Sequence, residues 1–292
     1  MTDTILNYAG ASFIVLGSLA LFFAAVLAVA DKFFQVQMDP RAAEIEAILP
    51  RANCGSCGFA GCAAYAEALA KGEAAAGACS PGGPEAAGKI AAILGIQVAA
   101  FVPKVAVVKC QGSCQNTRRR FAYIGEPDCR AAAATQFGDT ACSYGCLGMG
   151  TCVRACPFDA MVMDEETGLP RVLEDRCTAC GTCAAVCPKN IIEILPKDRY
   201  VHVLCRNRDP GKVTRQLCKA GCIACKVCEK ACPVEGGAIH VRDNLAAVDM
   251  QACTSCGKCA RVCPVSCIGD FQFFRKGRQE AAARKAAVQQ VA

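Results

Sequence analysis

Nine cysteines of this chain recur at one constant interval. Cys129, Cys142, Cys146, Cys152, Cys156, Cys177, Cys180, Cys183 and Cys187 map onto Cys205, Cys218, Cys222, Cys228, Cys232, Cys253, Cys256, Cys259 and Cys263. Pro157 and Pro188 fall on Pro233 and Pro264, and Gly145 and Gly181 on Gly221 and Gly257. An ungapped period of this kind marks a duplicated module. The chain carries 26 cysteines in 292 residues, a density usual for a secreted disulfide scaffold. The arrangement excludes that class, because most of these cysteines stand in Cys-x-x-Cys runs that close on Cys-Pro, the spacing by which thiolates ligate [4Fe–4S] clusters. Such clusters need a reducing compartment, so the soluble part is expected in the cytoplasm.

Within the second copy, Cys222, Cys225, Cys228 and Cys232 and then Cys253, Cys256, Cys259 and Cys263 form the paired runs of a bacterial ferredoxin. In that arrangement the fourth cysteine of each run ligates the other cluster. The expected sets are Cys222, Cys225 and Cys228 with Cys263, and Cys253, Cys256 and Cys259 with Cys232. The crossing staples the halves together, and a module of about 50 residues needs that metal-derived stability because its apolar core is small.

The first copy departs from the pattern, because Met149 stands where Cys225 stands in the second. Cys177, Cys180, Cys183 and Cys156 still make a full set. Cys146, Cys152 and Cys187 need a fourth ligand, for which Cys110, Cys114 and Cys142 are candidates. Among the remaining cysteines, Cys129, Cys142, Cys205 and Cys218 are expected to form a further site at the junction of the modules. Cys267 and one of Cys110 or Cys114 are left as spare thiols. A duller count of five clusters with several free buried cysteines stays open.

Another set lies outside the repeat. Cys54, Cys57, Cys62 and Cys79 are interleaved with Gly55, Gly58 and Gly61, which let the backbone wrap closely and aim N–H groups at sulfur. A zinc site usually takes two symmetric Cys-x-x-Cys knuckles, which this is not. Ala63 to Lys71 reads as a short helix, and the Ser80–Pro84 stretch as the end of the unit. A long apolar segment ends at Ala30, a short way upstream of Cys54, so this cluster is expected near a membrane surface.

That segment, Tyr8 to Ala30, carries no charge and is long enough to cross a hydrocarbon layer of about 30 Å as a helix. A cleaved signal peptide is the rival reading, but the residues before it include Asp3 and no Lys or Arg, and the apolar run exceeds the usual signal core. Lys32, Arg41 and Arg51 follow the helix, so the soluble body is expected on the cytoplasmic side of the inner membrane of a bacterial or archaeal cell, single-pass. One helix does not conduct ions; any ion path belongs to partner subunits.

The formal charge of +6 counts thiols as neutral. Each oxidised [4Fe–4S] core with four thiolates carries −2, so six of them bring the loaded chain to about −6. A nucleic-acid partner is therefore not expected. The Arg118–Arg120 run and the Arg275, Lys276, Arg278 stretch read as solvated faces, or as positive patches for an acidic ferredoxin. His202 and His240 read as ordinary strand or loop residues. No Gly-rich dinucleotide fingerprint or P-loop occurs, so no bound nucleotide is expected, nor a substrate-transforming active site. Cys218, Cys222 and Cys225 fit a radical-SAM spacing, but Ala292 comes too soon after them to leave room for that barrel. A zinc scaffold is a further rival, which metal analysis separates.

The fold class expected is α+β: one transmembrane helix (1–31), a four-cysteine domain (32–100), ferredoxin-like modules at 101–195 and 196–270, and a basic Ala-rich tail (271–292). Val105–Val108 and Tyr200–Leu204 read as strands, and Ala160–Met163 and Ile191–Leu195 as members of small hairpins. With one apolar helix, then Cys54-Gly-Ser-Cys57-Gly-Phe-Ala-Gly-Cys62, then modules containing Gly145-Cys-Leu-Gly-Met-Gly-Thr-Cys152-Val-Arg-Ala-Cys156-Pro, the chain resembles the B subunit of the Rnf ion-translocating electron transport complex, in its long cluster-rich form. The resemblance implies a carrier that takes electrons from reduced ferredoxin, with partner membrane and cytoplasmic subunits holding the flavins, the NAD site and the ion path. It matches Cys54, Cys57, Cys62 and Cys79 to the family's membrane-proximal cluster. A polyferredoxin subunit of another membrane oxidoreductase, such as a hydrogenase or a regulator-reducing complex, is the alternative.

Overall fold

The computed structural model describes residues 2–34, 39–97 and 102–271; the Arg275, Lys276, Arg278 stretch and the rest of the Ala-rich tail after residue 271 lie outside them. The apolar segment forms α1 (Thr2–Phe34). Its stretch from Ile14 to Lys32 has a mean hydropathy of 2.3 and none of it is buried against the rest of the chain. A helix apolar on every side suits hydrocarbon or a protein core, and the Ile14–Lys32 stretch is not in this chain's own core.

Three helices follow. Asp39 caps α2 (Pro40–Ile48) by accepting a hydrogen bond from Arg41 N, and a proline opens that helix. Then come α3 (Cys62–Ala70) and α4 (Gly83–Leu94). The Ser80–Pro84 stretch thus starts a helix instead of ending the unit, because Pro84 fits the first turn, where its missing N–H costs nothing. Ile45, Tyr65, Leu69 and Ile90 form a core between these helices. Ile90, Ala86, Ala87 and Ala91 share the buried face of α4, and Gly95 ends it in the left-handed conformation that glycine adopts without penalty.

The remainder is two copies of one small unit. In the first, β1 (Lys104–Val108) comes before α5 (Cys129–Ala134), α6 (Thr151–Arg154), the hairpin of β2 (Met161–Met163) and β3 (Pro170–Val172), α7 (Thr182–Ala185) and β4 (Ile192–Pro196). In the second, β5 (Val201–Val203) comes before α8 (Gly211–Leu217), α9 (Val227–Lys230), the hairpin of β6 (Ile239–Arg242) and β7 (Leu245–Val248), α10 (Lys258–Arg261) and β8 (Ile268–Asp270). The segment expected to hairpin at Ile191–Leu195 pairs instead with the strand that opens the copy. β1 runs antiparallel to β4 with Val108 opposite Ile192, and β5 antiparallel to β8 with Val203 opposite Ile268. Each copy is therefore closed by joining its first strand to its last, over two cysteine-lined cores.

This register corrects the repeat read from spacing alone. Ile192 and Ile268 stand one repeat interval apart, but their partners Val108 and Val203 are farther apart than that. The first copy carries an insertion between its opening strand and its first cysteine run, since the stretch from Val108 to Cys146 is twice that from Val203 to Cys222. The counterpart of Cys205 is thus Cys110, each the second residue beyond its strand, and Cys129 lies in the insertion. The backbone agrees: Lys109 N donates to Ile191 O and Leu204 N to Cys267 O, at 2.6 and 2.7 Å.

The insertion also uses the Arg118–Arg120 run. Arg119 pairs with the buried carboxylate of Asp139. Arg120 donates to the carbonyls of Gln136, Gly138 and Thr140. These two arginines brace a loop and are not a free basic patch. His202 and His240 lie in β5 and β6.

Candidate cluster-binding sites

Local backbone conformation around each ferredoxin run explains why these residues fold as they do. Left-handed residues flank the middle cysteine position of all four runs: Gly148 and Gly150, Ala179 and Gly181, Ala224 and Lys226, Ser255 and Gly257. They repeat between the copies at the same interval as the cysteines. Alternation of right- and left-handed residues turns successive N–H groups toward a common centre, an anion-binding nest. A one-turn helix follows each run and carries its third cysteine on the inner face, with Cys152, Cys183, Cys228 and Cys259 buried.

By which thiols lie beside which, 24 of the 26 cysteines can be grouped into six neighbourhoods. Cys54, Cys57 and Cys62 surround Cys79, whose thiol pKa is raised first by burial and then by those three neighbours. Asn53 accepts a hydrogen bond from Cys62 N at 2.8 Å, fixing the start of α3. Cys183 is pushed up to about 12, by burial first and then by Cys177, Cys180, Cys152 and Cys156. Cys228 is pushed up to about 11, by burial and by Cys222, Cys225 and Cys263. Cys259 reaches about 11 through burial and through Cys253 and Cys256, and Cys232 lines the same small cavity.

The last two neighbourhoods are not paired as spacing alone led us to expect. Cys152 is pushed up to about 11, first by burial and then by Cys129 and Cys187, and Cys146 is pushed up by burial first, then by Cys110, and then by Cys152 and Cys129. Cys129 thus lies beside Cys152 and Cys187, where Met149 supplies no thiol at the run's second position, while Cys146 lies between that group and Cys110. Three contacts hold Cys129 there. Cys129 N donates to Thr151 Oγ1 at 2.7 Å, Thr151 Oγ1 donates to Asp128 at 3.1 Å, and Arg154 donates to Pro127 O at 2.5 Å. All three tie the insertion to the helix that carries Cys152.

Cys110, Cys142, Cys205 and Cys218 line one cavity at the junction of the copies. Burial, followed by the nearby Cys142 and Cys205, pushes Cys110 up to about 11. Gly112 N and Cys146 N donate to Cys110 Sγ at 3.3 and 3.4 Å. Cys222 N donates to Cys205 Sγ at 3.3 Å. Asn207, 1% exposed, donates to Cys142 Sγ at 3.5 Å, a role that no spacing rule announced. Thr117 donates to Leu217 O at 2.8 Å beside Cys218, and Glu193 pairs with both Lys109 and Arg206. These contacts lock the copies together around the cavity.

The donor chemistry fits [4Fe–4S] clusters, since each neighbourhood offers four thiols. Backbone N–H groups also point at Cys156, Cys177, Cys232 and Cys253 at 3.3–3.5 Å. Sulfurs around one tetrahedral zinc stand about 3.8 Å apart. Among the described residues no group of three His, Cys, Asp or Glu side chains is gathered for a single ion. Cys114 and Cys267 remain outside the sets. Cys114 is exposed and donates to Glu166 O. Cys267 is buried, and its hydrogen bond holds Cys263 down to about 5.

Thiol sets of this kind, strung through duplicated ferredoxin-like units behind an apolar helix, define a membrane-associated iron–sulfur electron carrier. Family profiles agree: residues 49–81 match a putative Fe-S cluster family, and residues 141–191 and 216–264 each match a 4Fe-4S dicluster domain. The chain is 45% identical over 260 residues to the B subunit of the Na(+)-translocating ferredoxin:NAD(+) oxidoreductase complex of Acetobacterium woodii, spanning 89% of this chain and 77% of that one. It is 41% identical over 268 residues to the B subunit of the ion-translocating oxidoreductase complex of Methanosarcina acetivorans, covering 92% of this chain and 99% of the relative. A proton-translocating counterpart from Clostridium ljungdahlii is 41% identical over 83% of this chain and 84% of its own length. The chain belongs to the B-subunit family of Rnf-type ion-translocating oxidoreductase complexes. It is an iron–sulfur electron-transfer subunit of a multi-subunit complex.

Proposed function

We propose that this chain holds six [4Fe–4S] clusters in single file and conducts electrons from reduced ferredoxin toward the membrane partners of its complex, for delivery to NAD coupled to ion movement. The ligand sets are Cys54, Cys57, Cys62 and Cys79; Cys156, Cys177, Cys180 and Cys183; Cys129, Cys146, Cys152 and Cys187; Cys110, Cys142, Cys205 and Cys218; Cys222, Cys225, Cys228 and Cys263; and Cys232, Cys253, Cys256 and Cys259. The carrying observation is the pair of bonds at the junction. Cys146 N–H reaches Cys110 Sγ on one side, and Cys222 N–H reaches Cys205 Sγ on the other. Ligands of neighbouring sites are thus joined through single backbone hydrogen bonds.

Bound clusters supply one-electron storage at each site; the chain's residues order the sites and set their surroundings. Cys152 lies beside the Cys183 set within the first copy. A cleft walled by Ala78 and Ser80 on one side and Cys177, Thr178 and Ala179 on the other brings the Cys79 set up to the first copy. Cys225 and Cys256 are exposed, which favours entry of electrons at the second copy. Exit falls at the Cys54 set, which follows α1 along the chain. We place the division into 1–31, 32–100, 101–195, 196–270 and 271–292, a single-pass topology and a cytoplasmic soluble body in the same reading, the last on Lys32, Arg41 and Arg51. The catalytic transformation of NAD belongs to partner subunits.

The test is iron and acid-labile sulfide on the anaerobically purified chain, about 24 of each, with EPR of the reduced form. The direction of flow is tested with Cys54→Ala in the assembled complex. Ferredoxin oxidation in a single turnover is expected to survive while onward transfer stops; loss of ferredoxin oxidation would reverse the polarity.

A further inference from the structure

Cys267 belongs to none of the six ligand sets, yet it is 2% exposed and packed among them. Its Sγ lies 3.6 Å from Cys263 Sγ, and Cys222 belongs to the same buried cluster. In the ligand assignment proposed above, on which this inference rests, Cys222 and Cys263 hold the same cluster. A sulfur that ligates iron is a thiolate with no proton to give. The proton in that contact must therefore sit on Cys267.

The duplication supplies an internal comparison. The residue one repeat interval earlier is Ile191, also 2% exposed, and its carbonyl accepts from Lys109 N as the Cys267 carbonyl accepts from Leu204 N. The backbone is the same in the two copies, but one side chain carries an S–H donor and the other carries none. Both residues are buried, and a hydrogen bond to a ligating sulfur favours the reduced cluster, which carries one more negative charge.

The geometry points to Cys267 as a positioning residue that raises the reduction potential of the cluster held by Cys222, Cys225, Cys228 and Cys263 by donating its one S–H hydrogen bond to the ligating sulfur of Cys263. It breaks the equivalence that duplication would otherwise impose on the two copies. It acts without adding a charge or a ligand.

The experiment is an EPR-monitored redox titration of the full chain, purified anaerobically, with iron and sulfide measured on every sample. Cys267→Ala removes the donor, Cys267→Ile installs the first copy's residue at similar packing, and Cys267→Ser keeps a donor. Iron and sulfide should be unchanged in all three. In the Ala and Ile variants one cluster should become about tenfold harder to reduce, a shift of about 59 mV for a one-electron couple. Cys267→Ser should stay near the wild type. The proposal fails if the Ala and Ile variants titrate like the wild type, if Ser moves as far as Ala, or if either apolar variant loses four irons, which would make Cys267 a ligand. Failure of the underlying ligand assignment shows separately. If Cys222 and Cys263 share a site, the double Ala variant loses the same four irons as either single variant; a loss of eight places them in different sites.

Discussion

Cys110 and Cys205 are structural counterparts, each the second residue past a strand whose last residue faces equivalent isoleucines, Ile192 and Ile268. Each sulfur accepts the N–H of the first cysteine of its own copy's run, Cys146 or Cys222. Cys142 and Cys218 complete the same symmetry, so the junction cavity draws two thiols from each copy. The duplicated unit contains half of this site and needs its twin to supply the rest.

Counting iron in paired variants tests that arrangement. Cys110→Ala should cost about four irons per chain, and so should Cys205→Ala. The double variant should cost no more than either single, because both changes strike one site. Cys110→Ala combined with Cys129→Ala should cost about eight, because those residues serve different sites. If the Cys110 and Cys129 losses coincide, the pairing inferred from the cavity is wrong.

Met149 offers a gain-of-function version of the same question. It occupies the place of Cys225, and Gly148 and Gly150 give it the left-handed neighbours that Ala224 and Lys226 give Cys225. Its carbonyl accepts from Arg154 at 2.9 Å, so the turn is formed without a ligand there. Cys129→Ala should abolish one cluster, and adding Met149→Cys should restore it, as read by iron content and the EPR spin count. An unrestored cluster would mean that the first copy's turn cannot present a sulfur.

The ferredoxin runs were legible in the sequence because the cluster dictates its ligands' spacing, and spacing survives in one dimension. Sites assembled from separate segments were harder to read. Cys129 stands one repeat interval before Cys205 only because an insertion places it there, and nothing short of the strand register separates that coincidence from homology. The Arg118–Arg120 run was opaque for a related reason: its partners, Asp139 and the carbonyls from Gln136 to Thr140, face it from the far side of a loop. The helices α2 and α4 carry no cysteine, yet α4 could have been found, since Ala86, Ala87, Ile90 and Ala91 recur at helical spacing.

Tyr65 is 1% exposed, and its hydroxyl donates to Ala75 O at 2.6 Å inside the core of the helical unit. Burial pushes its pKa up to about 12, so the phenol remains a donor across the usable pH range. Tyr65→Phe keeps the ring packed on Phe59 and leaves the carbonyl without that donor. A loss of about 1 kcal/mol is expected, measured as a lower denaturant midpoint for protection of α2, α3 and α4 in hydrogen exchange. The clusters of the two ferredoxin-like copies should be unaffected, since Tyr65 belongs to a separate core. An unchanged midpoint would show that the hydroxyl contributes nothing net.

Removing the iron should separate the parts of the chain by what holds them. Cysteines share the cores of the two copies with apolar residues: Cys152 and Cys183 with Ala106, Met161, Ile191 and Ile192 in one, and Cys205, Cys222, Cys228, Cys259 and Cys267 with Val201, Val203, Ile239, Ala246 and Ile268 in the other. Without metal these thiols are weakly apolar groups around a void, and small modules lack the apolar area to close it. The helical unit instead buries Ile45, Leu49, Tyr65, Leu69 and Ile90, with its cysteines only partly buried at the margin. Chelation under anaerobic, reducing conditions should therefore abolish amide protection in the β1–β4 and β5–β8 pairs while α2 and α4 keep most of theirs. Restoring iron and sulfide should bring the strand protection back. Persistent protection of β5 and β8 in the iron-free chain would show that aliphatic packing alone folds the copies, and the energetic role assigned to the thiol sets would have to be abandoned.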